Sequence, residues 1–271
     1  MNQRLVIVRG GGDLATGTVH RLWSAGFPVL VLETDHPMAI RRQVAVSEAI
    51  YDGKVQIEGM TGIRVDCCRE VWNILDRGQV PVMADPEGTS IRVLHPEAVV
   101  DGILAKRNLG THRGMAPLTV ALGPGFEAGT DVDVVIETKR GHNLGRVIRS
   151  GRAEENTGIP GNIGGYTRER VIYAPEPGRF RNIGTIGDVA VRGQKIAEIV
   201  CGDGRLVPVP APIPGILRGL LRDGYLVGKG VKIADIDPRQ EERGNCFTIS
   251  DKARCIAGSV LEVIVSHILH K

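Results

Sequence analysis

Short apolar runs broken by glycine turns dominate the first half of the chain. Leu5-Val6-Ile7-Val8 leads into Gly10-Gly11-Gly12-Asp13, a helix-like segment follows, and Val29-Leu30-Val31-Leu32 ends on Glu33. Apolar runs of this length, bounded by turn residues, read as buried strands. Strand, glycine turn, helix, strand and acidic residue together make one βαβ unit. The alternation continues. Residues 38–51 are expected to form a helix after Pro37, 54–57 and 63–65 short strands, 69–77 a helix that stops at Gly78, and 80–84 a buried strand. Residues 96–107 read as a further helix with proline in its first turn, and 118–122 and 132–136 as the last two strands. Strands separated by helices predict a mostly parallel, Rossmann-like sheet over residues 1–139.

The pattern changes after Lys139. Glycine and proline become dense, and short alternating runs follow from Arg170 to Asp237. Residues 187–199 can be laid over 224–236 at a constant offset, 230 − 193 = 37, with Gly, Lys, Ile, Ala, an acid and Ile recurring in register. This repeat resembles the two halves of a biotinyl/lipoyl-type barrel-sandwich domain, which is expected over 140–245. No lysine lies between Lys195 and Lys229, so a cofactor-carrying swinging arm is not expected. The final segment, 246–271, carries a helix with Ser250 as N-cap and Asp251 in the first turn. Its apolar stripe of Ile256, Val260, Val263, Ile264 and Ile268 calls for docking on the N-terminal domain.

Composition narrows the class. The hydrophobic share is 42%, the charged share 24% and the net charge +3, an ordinary balance that gives no case for nucleic-acid binding. No run approaches the roughly 18 apolar residues of a membrane span, so a cytoplasmic protein is expected, with its oligomeric state open. The five cysteines contain no C-x-x-C spacing, which indicates neither a disulfide framework nor a zinc knuckle, and no metal site is expected.

Candidate chemistry gathers at three places. Gly10-x-Gly12-x-x-Ala15 fits the dinucleotide fingerprint, with Gly11 inside it, and Glu33 stands near the spacing of a ribose-binding carboxylate. Asp13 has two readings: a helix N-cap, or a charge that tunes a phosphate at the helix N-terminus, with Arg9 offsetting it. Arg41 and Arg42 are candidates for a phosphate held by forked hydrogen bonds. Arg140, His142 and Asn143 lie past a predicted strand, with His142 as candidate acid/base. If that strand is parallel to the first, its loop opens on the same sheet edge as the glycine turn. Cys67, Cys68 and Cys246 are either buried small hydrophobes or reactive thiols, the pair at 67–68 preceding a helix whose dipole would lower a thiol pKa.

Several segments resemble one family over nearly the whole chain: RGGGDLATG from Arg9, AIRR from Ala39 with EAIY from Glu48, TKRGHNLGRV from Thr138, GNIGGYT from Gly161, DIDPR from Asp235 and SDKA from Ser250. They are similar to the YqeB family of the selenium-dependent molybdenum hydroxylase system, and the first half is similar to the domain of XdhC chaperones. The resemblance implies an accessory or maturation protein for a molybdenum hydroxylase, partnered by that enzyme or its maturation proteins. The implied ligand is a nucleotide-like or molybdopterin-type cofactor. The residues alone leave two alternatives open, an NAD(P)-dependent oxidoreductase and a non-catalytic nucleotide-binding scaffold.

Overall fold

The computed structural model describes residues 4–155, 158 and 161–270. The chain divides into two units, Met1–Pro37 with Ala45–Thr157 and Ile249–Lys271, and Met38–Val44 with Gly158–Thr248.

The first unit is built on β1 (Val6–Arg9), β2 (Val29–Glu33), β3 (Lys54–Ile57), β4 (Met60–Val65), β5 (Val80–Ala84), β6 (Ala98–Asp101), β7 (Leu118–Leu122), β8 (Glu127–Ala128), β9 (Val134–Ile136), β10 (Val147–Ile148) and β11 (Gly151–Arg152). Its helices are α1 (Asp13–Ser24), α2 (Ala49–Asp52), α3 (Cys68–Leu75), α4 (Ile91–Leu94) and α5 (Asp251–Leu269). Nine strands form one sheet in the order β10-β9-β7-β6-β1-β2-β5-β4-β3, while β8 and β11 pair separately. The strands from β9 to β4 run parallel, and β3 and β10 close the two edges antiparallel.

Strand alternation sorts the apolar residues onto two faces. Val6, Val8, Ala98 and Val100 join the cluster beneath α1 and α5, and Leu5, Ile7 and Val99 join the one beneath α3. The α5 stripe Ile256, Val260, Val263 and Ile264 is buried in the first of these clusters.

The second unit contains β12 (Val171–Tyr173), β13 (Gly178–Asn182), β14 (Val189–Ala190), β15 (Lys195–Val200), β16 (Leu206–Pro210), β17 (Gly215–Leu220), β18 (Leu226–Val227) and β19 (Lys232–Asp237). They make two antiparallel sheets, β12-β19-β17-β14 and β16-β15-β13-β18. The internal repeat is visible in three dimensions. Lys195 pairs with Glu198 and Lys232 with Asp235, each three residues on. Gly178 and Gly215 have φ near +158° and +151°, and a Cβ at either would strike the carbonyl of Val200 or Asp237.

This architecture corrects the expected one. The fold is α/β with a large mixed sheet and separate antiparallel sheets, and a Rossmann-like parallel sheet followed by a barrel-sandwich domain is not established by it. No α-helix lies between β6 and β7 or between β7 and β9 among the described residues. The C-terminal α5 covers that part of the sheet instead, packing on β7 and β9. The helix expected over 96–107 is also corrected. Ala98, Val99 and Val100 are fully buried and pair with β1 and β7, because short β-branched apolar runs flanked by polar residues are better strands than helices. Residues 38–51 hold only short turns and α2, and the segment divides between the two units at Val44 and Ala45.

Candidate functional site

The first unit brings the glycine turn and the 140–143 loop to one edge of its sheet. Since β1, β6, β7 and β9 are parallel, the segments after Arg9 and after Ile136 leave from the same carboxyl end. The N-termini of α1 and α5 frame this edge side by side. Gly17, in the second turn of α1, lies against Ala253, in the first turn of α5.

The three glycines have different reasons to be glycine. Gly10 has φ +91°, and a Cβ there would fall 2.9 Å from the Ile103 backbone. Gly11 is pressed on Ser47, whose amide donates to the Gly11 carbonyl at 3.0 Å. Only Gly12 faces open space, with no atom within 4 Å of where its Cβ would stand. It is the N-cap of α1 and offers no side chain to the first turn. Asp13 is therefore the first helical residue, one position beyond the cap that one reading gave it.

Glu33 is committed to the turn. Its Oε2 accepts the Gly11 amide and its Oε1 the Thr34 amide, both at 2.8 Å. Arg9 is likewise internal, donating to Thr111 Oγ1 at 2.5 Å and to the Pro86 carbonyl at 2.7 Å. Thr111 Oγ1 donates in turn to Asp101 at 2.6 Å. Burial pushes the Asp101 carboxyl above its usual range, against the hydrogen bonds from Thr111 and Ile103 and the charge of Arg9. Arg9 is thus no counter-charge for a ligand phosphate.

Lys252 is the residue that sequence reasoning missed. It stands in the first turn of α5, half-buried. Burial and the charge of Arg140 pull its ammonium below the ordinary lysine value, while Asp13, Glu137 and Asp251 pull the other way. Arg140 holds Asp251 with two hydrogen bonds, 2.7 and 2.9 Å. Glu137 is 2% exposed, and its oxygens accept the Lys139 and Glu154 amides at 2.7 and 2.8 Å. His142 is exposed on the same loop, and Asn143 Oδ1 accepts from Arg146 at 3.3 Å. The signal was present in the SDKA motif, but only the packing of α5 on α1 carries Lys252 to the glycine turn.

Arg41 and Arg42 belong to the second unit. Arg41 donates to the Asn245 and Thr248 carbonyls, and Arg42 to that of Leu220. Their forks hold backbone of their own unit. Burial pushes the thiols of Cys68 and Cys246 up, which makes both poor thiolates. No group of three or more metal-ligating side chains occurs among the described residues.

The chain is 49% identical to the uncharacterized protein YqeB of Escherichia coli (strain K12) over 262 residues, 97% of this chain. That match supports membership of the YqeB family. The chain spans about half the length of this curated relative, 47%. No protein-family model matches it. Among solved structures it is similar to the ectoine utilization protein EutE (DoeB) of Ruegeria pomeroyi, at 9% identity and TM-score 0.28 over 85% of each chain. An aspartoacylase family protein from Mesorhizobium loti matches at 11% and 0.30 over 86% of this chain and 84% of that one. A succinylglutamate desuccinylase from Silicibacter sp. matches at 12% and 0.26 over the same shares. No match lends support to the expected molybdenum and selenium role or to its nucleotide-binding and NAD(P) alternatives, which are set aside. Scores of 0.30 and below transfer neither fold nor activity, so the neighbours' own chemistry stays with them.

Proposed function

We propose that this chain binds a small anionic ligand at the carboxyl edge of the nine-stranded sheet. The anionic group sits against the first turn of α1 and accepts from the Lys252 ammonium. One observation carries this reading: the N-terminus of α1 opens on free space at Gly12, without a side-chain cap, next to a half-buried lysine. Helix N-termini attract anions through their unpaired amides and aligned dipoles. A partly desolvated ammonium has already lost some of its hydration, so pairing it with an anion costs less. Arg140, His142 and Asn143 flank this place on the 137–146 loop, while Gly10, Gly11 and Glu33 hold the turn in shape.

Titration with inorganic sulfate, followed by isothermal calorimetry, tests the reading. Lys252→Met and Gly12→Val should each weaken sulfate binding by about tenfold or more, the size expected for one charge-assisted hydrogen bond. Unchanged affinity in both folded variants would overturn it.

A further inference from the structure

The second unit contains a buried ionic cluster that the anion site above does not use. Three neighbouring strands of one sheet build it. Val171 of β12 and Gly219 of β17 stand opposite Asp235 of β19, on its two sides. Arg170 precedes Val171 and Arg218 precedes Gly219, so the two arginines flank Asp235. A register shift between Leu217 and Gly219 bulges β17 at Arg218. Such a bulge re-aims a side chain, and here the Arg218 guanidinium comes within 3.8 Å of Asp237. Gly219 leaves room for the Asp235 carboxylate, whose Oδ1 would lie 2.8 Å from a Cβ there.

Most polar atoms of the cluster are satisfied. Arg239 grips Asp237 through Nε at 2.9 Å and Nη2 at 2.7 Å, and its amide also donates to Asp237. Lys232 donates to Asp235 Oδ2 at 3.0 Å. Arg170 Nη2 donates to the Gly161 carbonyl at 3.1 Å. Of the buried side-chain atoms without a partner among the described residues, three stand on these strands or next to them: Arg170 Nε, Arg218 Nε and Asp235 Oδ1. Arg170 is 7% exposed. Arg170 and Arg218 face Asp235 and Asp237, which Lys232 and Arg239 already hold, while Arg239 also faces Glu241 and Glu242, and Arg41 and the neutral, buried Cys246 thiol lie beside them. Buried guanidinium N–H groups without a partner are costly unless an anion accepts from them.

We propose that Arg170, Arg218 and Asp235 form an oxyanion site that takes a protonated inorganic phosphate, as hydrogen or dihydrogen phosphate. Two guanidinium N–H groups supply donors to phosphate oxygens. The leftover Asp235 Oδ1 is an acceptor and needs a donor. A P–OH provides one, whereas sulfate and carboxylates near neutral pH have none. The exposed edge of Arg239 and the partly exposed Arg218 give the approach. The DIDPR motif thereby acquires a role: it supplies Asp235, Asp237 and Arg239.

Calorimetric titration of the full chain with inorganic phosphate and with sulfate tests this, independently of the Lys252 reading. In a Lys252→Met background a single phosphate should still bind, at least about tenfold more tightly than sulfate, because sulfate would set oxygen against Asp235. Arg218→Gln should remove that phosphate site while sulfate binding at Lys252 persists. Asp235→Asn should raise sulfate affinity to that of phosphate, a gain no unfolded variant can produce. The proposal is overturned if Lys252→Met binds no phosphate or shows no preference for it. It is equally overturned if Arg218→Gln binds phosphate as before, or if Asp235→Asn keeps the wild-type preference. Failure of the first site reads out separately, as sulfate binding that ignores Lys252→Met.

Discussion

Gly17 and Ala253 bring α1 and α5 to backbone distance: a methyl group added at Gly17 would stand 2.7 Å from the Ala253 methyl and 3.0 Å from its carbonyl. This contact sets the two helix N-termini side by side and carries Lys252 to Asp13. Alanine ordinarily stabilises a helix relative to glycine by about 1 kcal/mol. At Gly17 the sign should reverse, since overpacking costs about 1–3 kcal/mol. Gly258, in the same pair of helices, has no atom within 4 Å of its Cβ position, and Gly258→Ala should show the ordinary gain. Urea denaturation of the two variants checks the contrast. Equal shifts in one direction would remove Gly17 as the contact that sets helix spacing.

Asp13 adds negative charge where the proposed anion sits. Asp13→Asn keeps the size of the side chain and removes that charge. Sulfate should bind several-fold more tightly to the variant, by about the 0.3–1 kcal/mol typical of a charge at a helix terminus. Calorimetry in low salt is the measurement, and a weaker complex would contradict the placement.

The Arg140–Asp251 pair is exposed, with 54% and 72% of the two side chains accessible, so its geometry exceeds its energy. Arg140→Ala should change stability by less than about 1 kcal/mol. It should still alter anion affinity, because the guanidinium lies beside Lys252. Comparing thermal melts with sulfate titrations separates the two effects. A large loss of stability with unaltered binding would make Arg140 a structural residue only.

Glu58 ties the β3–β4 turn to the start of α5, accepting the Ile249 amide at 2.8 Å and the Arg254 guanidinium at 2.7 Å. Burial raises its pKa, but these two partners lower it further, and the net effect is a carboxyl below its usual value. The folded pKa thus lies below the unfolded one of about 4.3. The stability this contributes is complete above that pH and is lost as pH falls through the lowered folded value. Glu58→Gln should flatten this part of the acid limb in melting temperatures taken from neutral pH downward. An identical slope in wild type and variant would show that Glu58 does not contribute.

Local spacing was sufficient for what local forces decide. The runs at Leu5–Val8 and Val29–Glu33 are strands because continuous apolar segments between turn residues bury on both faces of a sheet. Ser250 caps α5 by accepting the Ala253 amide at 3.2 Å, as its place before an acidic first turn implies. The repeat with a 37-residue offset is read directly from recurring glycines and lysines. Tertiary structure decided the rest. Residues 98–101 became a central strand because β1 and β7 supplied partners for its backbone, a choice invisible to helix signals at Pro96. Glu33 and Arg9 are engaged by hydrogen bonds with Gly11 and Thr111, partners that spacing does not report. Lys252 lies 239 positions from Asp13 along the chain, and Arg170 lies 65 from Asp235. No periodicity reports such separations, since side chains so far apart in sequence meet only when helices and strands pack.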